Sequence, residues 1–67
     1  MNVVSFQIFC IEFYSSHIQC PAHEVYQMFQ RSGLLEMLST DYEDLHGLGT
    51  EELMQFCDQY LGREQAV

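Results

Sequence analysis

Pro21 is the only proline of this 67-residue chain, and its four glycines stand at positions 33, 47, 49 and 62. A proline breaks any helix it enters, and glycine favours the left-handed residue just past a helix end. These positions therefore divide the chain into helix-length segments, with no linker, repeat or low-complexity tract between them.

After Pro21, the residues Ala22, Val25, Tyr26 and Phe29 follow the i, i+3, i+4, i+7 spacing of a helical core face, while Gln27, Gln30 and Arg31 lie outward. Pro21 suits the first helical position, where its missing N–H is no loss. Gly33 stops that helix, and Leu34 follows as the usual apolar contact. Leu34, Leu35 and Leu38 begin a third helix that ends at Ser39-Thr40-Asp41. A single turn over 41–46 then places Tyr42 and Leu45 inward, with Gly47 closing it. Thr50 is expected to cap the last helix, with Glu51 and Glu52 in its first turn. Leu53, Phe56, Cys57 and Tyr60 form its core stripe, and Gly62 ends it.

The segment before Pro21 is harder to read. Its Val, Ile, Phe and Tyr favour a strand, but Phe9, Cys10 and Ile11 are consecutive and break strict alternation. Wound as a helix, Ser5, Glu12, Ser16 and Gln19 fall on one narrow polar stripe, and nearly everything else is apolar. A face that wide needs covering on most sides. Either the other helices wrap it, or it forms a dimer seam or a partner groove. The sum is an all-α, compact bundle of four short helices, about 3–17, 21–32, 34–39 and 50–61, with a helical turn near 41–46. It makes one domain over 1–67, with 1–2 and 63–67 frayed.

Two arginines face ten acidic residues and no lysine is present, giving a net charge of −8. A nucleic-acid binder needs a basic footprint, and an anionic membrane surface attracts one. Neither partner is expected, whereas a protein partner or self-association is. The apolar N-terminus lacks the basic region and cleavage site of a signal peptide, and Glu12 interrupts a run too short to span a bilayer. The default location is cytoplasmic, where Cys10, Cys20 and Cys57 read as free thiols. A chain of this size buries only about 60% of its unfolded surface, so a metal or a partner could support the fold.

The stretch "HIQCPAH" sets His17, Cys20 and His23 at even spacing, the pattern of a candidate metal site. Pro21 cuts the helix that would align them, and zinc wants three or four ligands. The remaining Cys and His residues would have to come from other helices. Cys10 and Cys57 sit on apolar stripes as inert thiols, and a chain this short leaves no room for a catalytic cleft. Asp41, Glu43, Asp44, Glu51 and Glu52 read as helix starts, and "GLG" at 47–49 lacks the context of a phosphate loop. Three of the four methionines lie on helices, as core. Tyr14, Tyr26, Tyr42 and Tyr60 are each expected to bury the ring and keep the hydroxyl near water.

"FCIEFY" at 9–14, "HEVYQMF" at 23–29 and "DYEDLHGLG" at 41–49 occur in the order and spacing of a small bacterial family of unknown function, number 3791, which the chain resembles over about residues 4–61. The family looks all-helical. By that resemblance Glu12 and Tyr14 match its Glu-x-Tyr, Glu24, Val25 and Phe29 its second-helix core, and Tyr42, Leu45 and His46 its Tyr-x-x-Leu-His turn. Similar sequences carry Ser or Thr where Pro21 stands, forming a capping box with the residue matching Glu24. Here that box is lost, and Cys20 or water must do the capping. His17 and Cys20 lie outside the family pattern. Similar families often neighbour genes for ADP-ribosyltransferase-like proteins, which implies a partner or antitoxin-like role.

The expected function is a non-enzymatic interaction module, without cofactor or metal, whose candidate interaction and motif residues are Glu12, Tyr14, Tyr42 and His46. The alternatives are a metal- or thiol-dependent protein centred on His17, Cys20 and His23, and an enzyme in which Glu12 and His46 form an acid–base pair. For that last pair the plainer reading is a hydrogen bond pinning the turn to the first helix.

Overall fold

A computed structural model describes residues 2–63. The elements run α1 (Val3–Ile18), α2 (Ala22–Ser32), α3 (Leu34–Thr40), the single turn α4 (Tyr42–Leu45) and α5 (Thr50–Leu61). The all-α bundle expected from the spacing is what forms, and the first segment is a helix. Its inner face packs against α2, α3 and α5.

Each helix end has a local cause. Asn2 caps α1, its side-chain oxygen accepting the Ser5 N–H at 2.8 Å. At the other end, Gln19 takes the left-handed conformation at φ 56°. The Cys20 N–H reaches back to the Ser15 carbonyl at 3.0 Å, and the Ser15 hydroxyl donates to the Cys20 carbonyl. α5 ends in the same way, with Gly62 at φ 70° and the Arg63 N–H on the Asp58 carbonyl at 2.7 Å. This turn satisfies carbonyls that would otherwise be left open. Residues 64–67, where most of the expected C-terminal fraying falls, lie outside the described residues.

Gly33 serves two helices at once, at φ 86°, ending α2 and starting α3. A Cβ there would stand 3.4 Å from the Tyr60 hydroxyl, on a backbone that side chains rarely adopt.

Several placements differ from the sequence reading. Pro21 precedes α2 as its cap residue, one position earlier than expected, and its carbonyl accepts the Glu24 and Val25 N–H groups at 3.1 Å. Cys20 does not cap the backbone; its thiol faces the Glu24 carboxylate at 3.9 Å. Gly49 holds the cap position of α5, and Thr50 is already helical and makes no side-chain cap.

The core stripes are also rotated. On α2, Val25 and Phe29 are buried while Ala22 and Tyr26 are exposed. On α5, Leu53, Met54 and Cys57 are buried, Phe56 is half-buried and Tyr60 is exposed. In both cases the apolar arc is wider than the neighbouring helix can cover. Packing chooses one edge of it, and the aromatic on the other edge stays at the surface.

Candidate functional site

The most organised polar contact joins α1 to α5. Tyr14 is fully buried, and its hydroxyl donates to Asp58 Oδ1 at 2.7 Å. Asp58 Oδ2 lies 2.9 Å from His17 Nε2, one helical turn beyond Tyr14 on α1. The expectation that Tyr14 keeps its hydroxyl near water is overturned: the ring sits against Phe29 at 5.5 Å, and a carboxylate takes the place of water.

The electrostatics follow from that geometry. Burial pushes the Tyr14 hydroxyl up, and the Asp58 hydrogen bond and charge push it further. For Asp58, burial alone would raise the carboxyl. Hydrogen bonds from Tyr14 and His17 and the positive charges of His17 and Arg63 outweigh it and hold the group below its ordinary value of 3.8. His17, Asp58 and Arg63 also border a small cavity of about 260 Å³. A buried tyrosine, an ionised carboxylate and a surface imidazole hold two helices in register. Sequence spacing could not find this contact, because Tyr14 and Asp58 are 44 residues apart.

The three residues of the proposed metal set go separate ways. His17 pairs with Asp58, Cys20 faces Glu24, and His23 is exposed on α2. Among the described residues no group of three His, Cys, Asp or Glu side chains is placed to hold a metal ion.

Cys10 and Cys57 are fully buried, and burial pushes both thiols up to about 12, with Cys10 and Asp58 adding to the effect at Cys57. A nucleophile must be a thiolate, and at neutral pH these two are not.

The motif residues divide as well. Glu12 lies exposed on the polar stripe of α1, alongside the exposed Ser5, Ser16 and Gln19. Tyr42 packs edge-on against Phe6 with ring centroids 5.4 Å apart, and His46 stacks on Tyr42 at 4.5 Å. His46 Nδ1 also lies 2.8 Å from the Tyr42 carbonyl. Among the described residues no hydrogen bond, ion pair or ring contact joins Glu12 to His46. Neither the acid–base pair nor the pinning hydrogen bond between them forms; the turn is held to α1 by the Phe6 ring instead. A second tie that the sequence did not suggest is the Gln7 amide, which donates to the Leu35 carbonyl of α3 at 2.8 Å.

The outer side of α1 is left bare. Val4 is 62% exposed, Ile8 50% and Phe13 43%. Val4 and Ile8 are four residues apart and line one edge of the polar stripe. Phe13 stacks on Phe9 at 4.4 Å along the other edge.

The expectation that so short a chain leaves no cleft is also corrected. A cleft of about 550 Å³ opens between α2 and the end of α5, with Met28, Arg31, Tyr60 and Arg63 among its walls. Among the described residues no helix is long and apolar enough to cross a membrane.

The family model "Protein of unknown function (DUF3791)" matches residues 5–64, nearly the whole chain, and the chain belongs to that family. No curated protein and no solved structure matches it.

Proposed function

We propose that this member of the family is a non-enzymatic protein-interaction module, and that the outer side of α1 is its contact surface. The observation that carries the reading is the exposure of Val4, Ile8 and Phe13 on one helix. Large apolar side chains exposed on both edges of one polar stripe are the apolar part of a contact surface rimmed by polar residues. The dispersal of His17 and Cys20 onto different partners and the separation of Glu12 from His46 weigh against the metal- or thiol-dependent and acid–base readings. Either a second copy or a different protein could cover α1. The family resemblance makes an ADP-ribosyltransferase-like protein the first heterologous partner to try.

Light scattering on the purified chain, together with capture of partners from the native host, tests this. The expected result is a dimer or a specific complex that the double substitution Val4→Glu, Ile8→Glu abolishes while far-UV circular dichroism is unchanged. A protein that is monomeric at all concentrations and captures nothing would sink the proposal.

A further inference from the structure

Arg31 and Arg63 are the only Lys or Arg residues in a chain with ten carboxylate side chains, and both line the cleft between α2 and the end of α5. Among the described residues neither guanidinium forms a hydrogen bond or an ion pair; the single ion pair there is His17 with Asp58. If the two arginines served to neutralise the acidic surface, they would be expected beside its carboxylates. Both instead line one opening, and among the described residues only Arg63 also acts on a carboxylate, that of Asp58.

The rest of the cleft is suited to an apolar body. Met28 and Leu61 are half-buried, and the Tyr60 ring is 39% exposed. The close approach of Gly33 to the Tyr60 hydroxyl helps place that ring at the rim. Ser32 supplies a polar wall beside Arg31. Glu24 also lines the cleft, but it lies seven residues before Arg31 on α2, about 10 Å away along the helix axis. The cleft thus combines two guanidiniums and one carboxylate with apolar walls. Its volume of about 550 Å³ falls within the range of roughly 300–1,000 Å³ typical of small-ligand sites.

We propose that this cleft binds a small organic anion: a carboxylate or phosphate, held by Arg31 and Arg63, on an aromatic or apolar body lying against Met28, Leu61 and Tyr60. Guanidinium forks suit either anionic group. The net charge of −8 favours a small anion over an acidic macromolecule, which would meet the acidic surface elsewhere. The competing role for Arg31 is structural. It sits in the last turn of α2, where a cation complements the helix dipole. That role would affect stability and would bind nothing. Arg63 is the less clean probe, because its charge also acts on Asp58.

The experiment is an NMR titration of the full chain, following the arginine Nε–H and tyrosine ring signals. The probes are phenyl phosphate and benzoate, with inorganic phosphate and benzyl alcohol as controls. The expected result is a saturable shift of the Arg31, Arg63 and Tyr60 signals with one or both aromatic anions. Each control should bind about tenfold more weakly or worse, since it carries only half of the recognised chemistry. Arg31→Gln should weaken binding by about tenfold or more, with Arg31→Lys between the two. Whichever aromatic anion binds more tightly identifies the preferred head group. The proposal is overturned if neither aromatic anion saturates, if inorganic phosphate acts as strongly as phenyl phosphate, or if Arg31→Gln leaves the affinity unchanged. None of these outcomes bears on the α1 contact surface, so the two proposals stand or fall separately.

Discussion

Phe6 and Phe13 are the same residue type on the same helix, yet Phe6 is 1% exposed and Phe13 43%. The inner face of α1 also carries Cys10 and Tyr14, both fully buried, while the outer side shows Val4 and Ile8 at 62% and 50%. The polar stripe marks the outer side, but residue type does not decide which of the apolar side chains is buried. What differs is the neighbours: α2, α3 and α5 all pack on one side, and among the described residues no helix covers the other. The contrast shows that apolar content alone does not define a core. Only the apolar surface that meets a partner element leaves water.

The sharpest way to break this comparison is to truncate both rings. Phe6→Ala should cost about 3–5 kcal/mol, enough to leave a domain of this size largely unfolded at room temperature. Phe13→Ala should cost under about 1 kcal/mol, because the ring is already solvated. Urea unfolding of both variants decides it, and equal losses would mean that α1 is covered on both sides in solution.

A smaller effect is expected at the α1–α5 contact. Tyr14→Phe should destabilise the fold by about 1–3 kcal/mol, since the buried edge of Asp58 then lacks its donor. Because the Asp58 carboxyl is held below its ordinary 3.8, its contribution is fully present well above that value. It is lost as pH falls through 3.8 toward the folded value. Thermal melts from pH 6 down to about 2.5 should therefore fall less steeply for Asp58→Asn than for the wild type. Parallel acid slopes would show that Asp58 does not sense folding.

The smallest expected effect lies where both faces of α1 end. Gln19 takes the left-handed conformation that Gly62 takes at the end of α5. A side chain there is disfavoured by about 1 kcal/mol, so Gln19→Gly should raise stability by up to about that amount. A loss of stability in chemical denaturation would mean that the Gln19 side chain makes a contact of its own.

Much of the fold was legible in the chain. Gly33 and Gly62 mark stops because each takes a left-handed backbone, and the helices between them run close to the expected limits. The polar stripe Ser5, Glu12, Ser16 and Gln19 identifies α1 as a helix, and all four residues are exposed. The candidate site was far less legible. Among the motif residues, Tyr14 and Tyr42 make tertiary contacts, to Asp58 and Phe6, that no local spacing could indicate. Glu12 and His46, though both in the motif, do not meet. The even spacing of His17, Cys20 and His23 gave a pattern without a shared location, because Gln19 and Pro21 turn the chain between them.

By itself, then, the sequence determined where helices start and stop, since caps, left-handed glycines and apolar period act within a few residues. It also determined the charge of the surface. Only the tertiary structure decided which edge of each apolar arc is buried, that Tyr14 and His17 share one carboxylate, and that the chain's two arginines stand at one cleft. Those outcomes depend on how helices distant in sequence rotate against one another. That rotation is settled by the combined packing of all five elements and by no local rule.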